Sequence, residues 1–154
     1  MRAVIQRVLH SSVLVDGKTV GEIDQGLNIL LGVVENDTEA EADILASKIS
    51  KMRIFEDENE KMNLSINDIG GSALVISQFT LCADCRKGNR PSFSQSAPPD
   101  RARALYEYFT QKLRENGIKK VETGIFAADM QVYIQNDGPV TIILDSDIYK
   151  QSRR

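Results

Sequence analysis

The residues able to move a proton, attack a carbonyl or hold a metal are few in this sequence. The single histidine, His10, stands beside Ser11 and Ser12 in an alternating run, so any Ser-His-Asp site would have to be built there. A hydroxyl-rich strand edge is the plainer reading. Cys82 and Cys85 form a C-x-x-C in "CADC". A redox pair wants its first cysteine at a helix N-terminus, yet "RKGNRPSF" follows, too rich in Gly and Pro for an immediate helix. The four ligands of a zinc site are also lacking, and no metal or other cofactor is expected.

Three other stretches carry more. In "SQFTL", strand alternation would put Gln78 and Thr80 on one face and Ser77 and Phe79 on the other. Polar groups that close together need partners if buried, either in neighbouring loops or in a ligand. "RKGNRPSF" sets Arg86, Lys87 and Arg90 within five positions, with Phe93 close by. Such a loop suits phosphates and a stacked base, or is simply solvated. In "QVYIQNDGPVTIILD", two alternating runs meet at Asp137-Gly138, a dipeptide at home in a hairpin turn. Pro139 then follows, unable to donate where the return strand should pair. It either opens an edge strand or forms a cis Gly138-Pro139 bond.

These residues must be positioned by a scaffold, and its elements are legible. "RAVIQRV", "SSVLVDGKTVGEI" and "GLNILLGVV" read as three early strands, with a turn at Asp16-Gly17 and with Gly26 and Gly32 bracketing the third. "DTEAEADILASKISKM" shifts to helical spacing behind a Thr38/Glu41 capping box, with Leu45, Ile49 and Met52 in one stripe. "EDENEKMN" reads as an acidic surface loop and "GGSALVISQFTLCA" as one strand. "DCRKGNRPSFSQSAPP" reads as a long irregular loop. Pro98 and Pro99 open a second helix, ended by Gly117, whose Ala102, Leu105, Phe109 and Leu113 face the core. The chain closes on "KVETGIFAADMQVYIQN" and "PVTIILD". The expected fold is α+β: a curled, largely antiparallel, barrel-like sheet with two main helices packed outside, in one domain spanning residues 1–154.

Composition bounds the function. The 154 residues are 42% hydrophobic and 27% charged, enough for one core. No apolar run is long enough to span a membrane, and the alternating N-terminus lacks an export signal, which points to the cytoplasm. Net charge is −3, so contact with nucleic acid must come from local clusters.

"SQFTL", "KGNRPSF", "TGIFAADMQV" and "NDGPVT", in that order and with the opening "MRAVIQRV", resemble the D-aminoacyl-tRNA deacylases over essentially the whole chain. Two positions depart from the family pattern: Ala127, where a glycine is expected, and Cys82, where an aromatic is common. The resemblance implies hydrolysis of the ester joining a D-amino acid to the 3′ adenosine of tRNA, with L-esters rejected; discrimination at Cα would let glycine through. It implies a homodimer in which a cis Gly138-Pro139 motif reaches into the partner's site. It implies Ser77, Gln78, Phe79 and Thr80 as catalytic-site residues, and Met130 with Gly138 and Pro139 as the substrate-binding residues of chiral selection.

The energetics of discrimination point the same way. A side-chain pocket discriminates by only about 1–3 kcal/mol per methylene, so an enzyme accepting many side chains must read chirality at Cα, with rigid backbone groups. Backbone N–H groups near Phe79 and Thr80 are candidate oxyanion donors. Nothing supplies a base to make Thr80 a nucleophile, so assistance by the substrate's own 2′-OH is expected. Arg7, Arg86, Lys87 and the tail "KQSRR" are candidate tRNA contacts. Two rival readings remain, a non-catalytic RNA-end binder using the basic loop and a thiol-redox protein using Cys82 and Cys85.

Overall fold

The computed structural model describes residues 1–151. One long strand organises it: β1 (Arg2–Val15) turns at Asp16-Gly17 into β2 (Lys18–Ile23), and β3 (Gly26–Gly32) follows. The first two apolar runs of the sequence are thus one strand. Asp16 and Gly17 have φ of 50° and 75°, the paired positive values of a type I′ hairpin turn. Behind its Thr38/Glu41 capping box, α1 (Glu39–Lys51) buries Leu45 and Ile49. The acidic stretch is a small hairpin rather than a loop: β4 (Phe55–Glu56) pairs with β5 (Met62–Leu64). The Asp57 carboxylate accepts the N–H groups of Asn59 and Lys61 and so closes its turn.

β6 (Ser72–Ser77) runs parallel to β3, and β7 (Val121–Thr123) parallel to β6. Between them lies α2 (Pro99–Glu115), opened by the expected proline pair and burying Ala102, Leu105, Phe109 and Leu113. β8 (Gln131–Asp145) and a third, short helix α3 (Asp147–Gln151) end the described chain. The sheet order is β2-β1-β3-β6-β7, with β8 on the other side of β1. It is mixed, and it curls until β2 lies against β7: a Cβ on Gly21 would stand 2.6 Å from the Thr123 carbonyl oxygen. The barrel-like α+β expectation holds. One core lies between the sheet and α1 and α2, and a smaller one, around Val8, Val13, Ile23, Leu74 and Ile76, lies inside the curl.

Two expectations about the functional segments are corrected. First, no hairpin joins Gln131–Asn136 to Val140–Asp145. Both halves belong to β8, antiparallel to β1 from Leu14↔Gln131 to Arg2↔Asp145. β1 is long enough to satisfy both halves, so neither needs the other. The surplus residues bulge at Gly138-Pro139, where the register with β1 shifts twice between Gln6 and His10. Second, β6 stops at Ser77, and Phe79–Cys82 wind into a 3₁₀ turn. Ser77 to Thr80 therefore do not alternate across a sheet.

Candidate active site

The end of β6 opens a cavity of about 720 Å³, within the usual range for small-molecule sites. Val33 and Ile76 form its floor and Ser77, Gln78 and Phe79 one wall. Phe93 and the Ser96–Pro99 segment, leading into Ala102 of α2, form a second. Phe126–Met130 and Val132 form the third. Backbone pairing fixes the first two walls. Gln78 N–H donates to the Leu31 carbonyl at 2.8 Å, and Ala97 N–H to the Val33 carbonyl at 3.0 Å. Gly32 lets the 3₁₀ turn lie directly on β3, since a Cβ there would come within 3.0 Å of Leu81 Cβ. Arg2 Nη1 donates to the Leu81 carbonyl at 3.0 Å and holds the turn's far end. Met130 folds over Gly124, its sulfur 2.5 Å from where a Cβ would stand. Beneath, Tyr106 Oη donates to the Val75 carbonyl at 2.9 Å, tying α2 to β6, and burial pushes this phenol up to about 12.

Ser77, Gln78, Phe79 and Met130 thus meet at one cavity. Thr80 lies just outside it, exposed, its hydroxyl accepting from Gln78 Nε2. The first N–H groups of a 3₁₀ turn have no acceptor within the turn; here they belong to Phe79 and Thr80. The Ser96–Pro99 wall is not legible in the sequence, where the two prolines signal only a helix start.

Gly138 and Pro139 do not line this cavity. They lie exposed on the bulge of β8, and their peptide bond is cis. Arg7 is 5% exposed and is occupied within the chain. Its Nη1 donates to the Ile54 carbonyl at 2.7 Å, and its Nε to the Asp137 carbonyl at 3.2 Å, with the Asp137 carboxylate at 3.0 Å. Asn136 Nδ2 adds bonds to the Arg7 and Val140 carbonyls. Arg7 therefore anchors the base of the bulge, its guanidinium committed to partners in its own chain. Arg86 is exposed but forks onto Asp84, and that contact holds the Asp84 carboxyl down at about 2. Lys87 is exposed. Of the tail, residues 152–154 lie outside the described residues; Lys150 pairs with Glu41 at 2.9 Å.

The residues of the other candidate sites lie outside this cavity. His10 faces Glu22 at 3.5 Å, and the Ser11 hydroxyl bridges Asn28 and the Tyr133 carbonyl in a buried strand contact. Cys82 and Cys85 are unbridged; Cys82 is buried with its thiol pushed up by that burial, and Cys85 is exposed. Among the described residues no helix is long and apolar enough to cross a membrane.

Residues 4–145 match the family model described as D-Tyr-tRNA(Tyr) deacylase. The chain is 59% identical over 146 residues to a D-aminoacyl-tRNA deacylase of Thermotoga petrophila, covering 95% of this chain and 97% of that protein. It is 61% identical to one of Sulfurihydrogenibium sp., covering 95% and 98%. A solved structure described as c-Myc DNA Unwinding Element Binding Protein is similar at TM-score 0.89 and 41% identity, covering 94% of this chain and 98% of that one. A probable eukaryotic D-amino acid tRNA deacylase shares the fold at TM-score 0.80 and 17% identity, covering 93% and 97%.

Proposed function

The chain belongs to the D-Tyr-tRNA(Tyr) deacylase family, and on that premise we propose that it cleaves D-aminoacyl-tRNA, and glycyl-tRNA, at a site completed by a second copy of itself. The observation that carries the shared site is the separation of its two halves. Ser77–Phe79 and Met130 line a cavity, while Gly138-Pro139 stands exposed on the bulge of the same chain and lines none of it. β8 supplies a surface for the second copy. Over its 15 residues it pairs with β1 alone, leaving its other edge open among the described residues. Tyr133 is 57% and Ile143 73% exposed on its outward face. A long open edge with apolar side chains invites pairing.

In the completed site the ester carbonyl lies against the Phe79 and Thr80 N–H groups. Water adds to its carbon, the bond to the ribose 3′ oxygen breaks, and the water's proton reaches that oxygen by way of the vicinal 2′-OH. The products are a free D-amino acid and tRNA. Oxyanion donors of this kind contribute about 3–4 kcal/mol, and no side-chain base is required. Backbone carbonyls of the partner's Gly138 and Pro139 take the α-ammonium and crowd the direction of an L side chain. Glycine, with only hydrogen there, passes. Arg86 and Lys87 approach the acceptor-end phosphates, and the setting is the cytoplasm, where aminoacyl-tRNA is made.

Mixing two crippled chains tests the shared site. Phe79→Pro removes one oxyanion N–H where Gln78 is already extended, at φ −140° and ψ 80°. Arg7→Lys loosens the bulge. If each site takes its cavity from one chain and its bulge from the other, half the sites of each mixed dimer are intact, and activity returns to roughly a quarter of native. A mixture no more active than its components contradicts the shared site.

A further inference from the structure

Phe79 and Phe93 stand at the rim of the cavity, ring edge to ring face, with centroids 5.1 Å apart and planes at 65°. They are 54% and 38% exposed, so much of both rings is open to a ligand. Two segments bring them together: Phe79 begins the 3₁₀ turn, and Phe93 directly follows Ser92, which exchanges backbone hydrogen bonds of 2.7 and 2.9 Å with Asp84. That pairing also closes the base of the loop carrying Lys87 and Arg90, both exposed and neither ion-paired among the described residues. Exposed aromatic rings beside free cations are what a single-stranded nucleic acid needs, since bases stack on the rings and phosphates meet the cations.

Resting on the function proposed above, we infer that the Phe79–Phe93 pair is a stacking platform for the penultimate nucleotide of the tRNA 3′ end, one step outside the aminoacyl-adenosine held in the cavity. Lys87 and Arg90 serve the adjoining phosphates. Stacking accepts any base because every base has a π face, so the platform grips the single-stranded end without reading which tRNA carries it. It also favours an ester on a polynucleotide over the same ester on a lone nucleoside.

The test compares kcat/KM for D-tyrosyl-tRNA with that for the D-tyrosyl ester of adenosine, which lacks the penultimate nucleotide. In Phe93→Ala the ratio of the two should fall roughly tenfold, mostly through KM for the tRNA, and Phe93→Tyr should restore it. A ratio that Phe93→Ala leaves unchanged overturns the platform while leaving the deacylase intact. Native protein that cleaves neither ester contradicts both the platform and the function on which it rests.

Discussion

Arg7 shows how a residue's chemistry is decided by what surrounds it. As a cation in a deacylase-like sequence it is a natural phosphate ligand, yet the fold buries it and gives its guanidinium the Ile54 and Asp137 carbonyls and the Asp137 carboxylate. Lysine keeps the charge but loses the fork. Arg7→Lys should lower single-turnover kcat/KM for D-tyrosyl-tRNA about ten- to hundredfold, the effect of one charge-assisted hydrogen bond of about 1.5–3 kcal/mol. Circular dichroism should show the variant still folded. Phe79→Pro should cost about 10²–10³ in kcat, the signature of a lost oxyanion donor, on top of the rise in KM for the tRNA that loss of its ring brings. At Ala127 the departure from the family pattern has a structural counterpart: its φ is +63°, the left-handed region that favours glycine. Relief of about 1–2 kcal/mol there outweighs the extra chain entropy of glycine, about 0.4–1 kcal/mol. Ala127→Gly should therefore raise the melting temperature slightly, where glycine elsewhere would lower it. The sequence marked the position but could not supply its dihedral angle.

At the scale of elements, the α1 cap is the clearest sequence signal and also the source of a pH dependence. Burial of Glu41 alone would raise its pKa, but the Thr38 hydroxyl and N–H and the Lys150 ammonium outweigh that and hold it near 2, against an ordinary 4.5. A folded-state pKa below the unfolded one gives stability that is complete above about pH 4.5 and is lost as the pH falls towards 2. Urea melts across this range should show up to about 3 kcal/mol of acid-sensitive stability that is missing in Glu41→Gln. The helices were legible because caps, stripes and terminal Gly and Pro are local signals. The segments of the site were not. "NDGPV" carries good hairpin chemistry, but whether two runs pair with each other or with a third strand depends on β1, more than a hundred residues away. Likewise "SALVISQFTL" continues its apolar content past Ser77, and the turn out of the strand is seated on β3 at Gly32, a contact the local sequence does not announce.

At the scale of the whole molecule, the cavity and the exposed Gly138-Pro139 bulge lie apart on one chain, and the proposed function joins them through a second copy. Val132, Ile134, Ile142 and Leu144 of β8 turn inward onto the cores, and Tyr133 and Ile143 between them turn out. A charge on that outward face should oppose association, so Ile143→Glu is expected to shift sedimentation towards monomer and to reduce D-ester hydrolysis in proportion. Full activity in a monodisperse monomer would contradict the shared site. Under that proposal, selection at Cα rather than at the side chain is expected, because the partner's backbone would be the rigid group next to that atom. The most direct test is single-turnover hydrolysis of matched D- and L-tyrosyl-tRNA. The expected result is rapid loss of the D-ester with the L-ester left at its spontaneous rate. Equal rates for the two enantiomers, or no acceleration of either, would contradict a chiral deacylase.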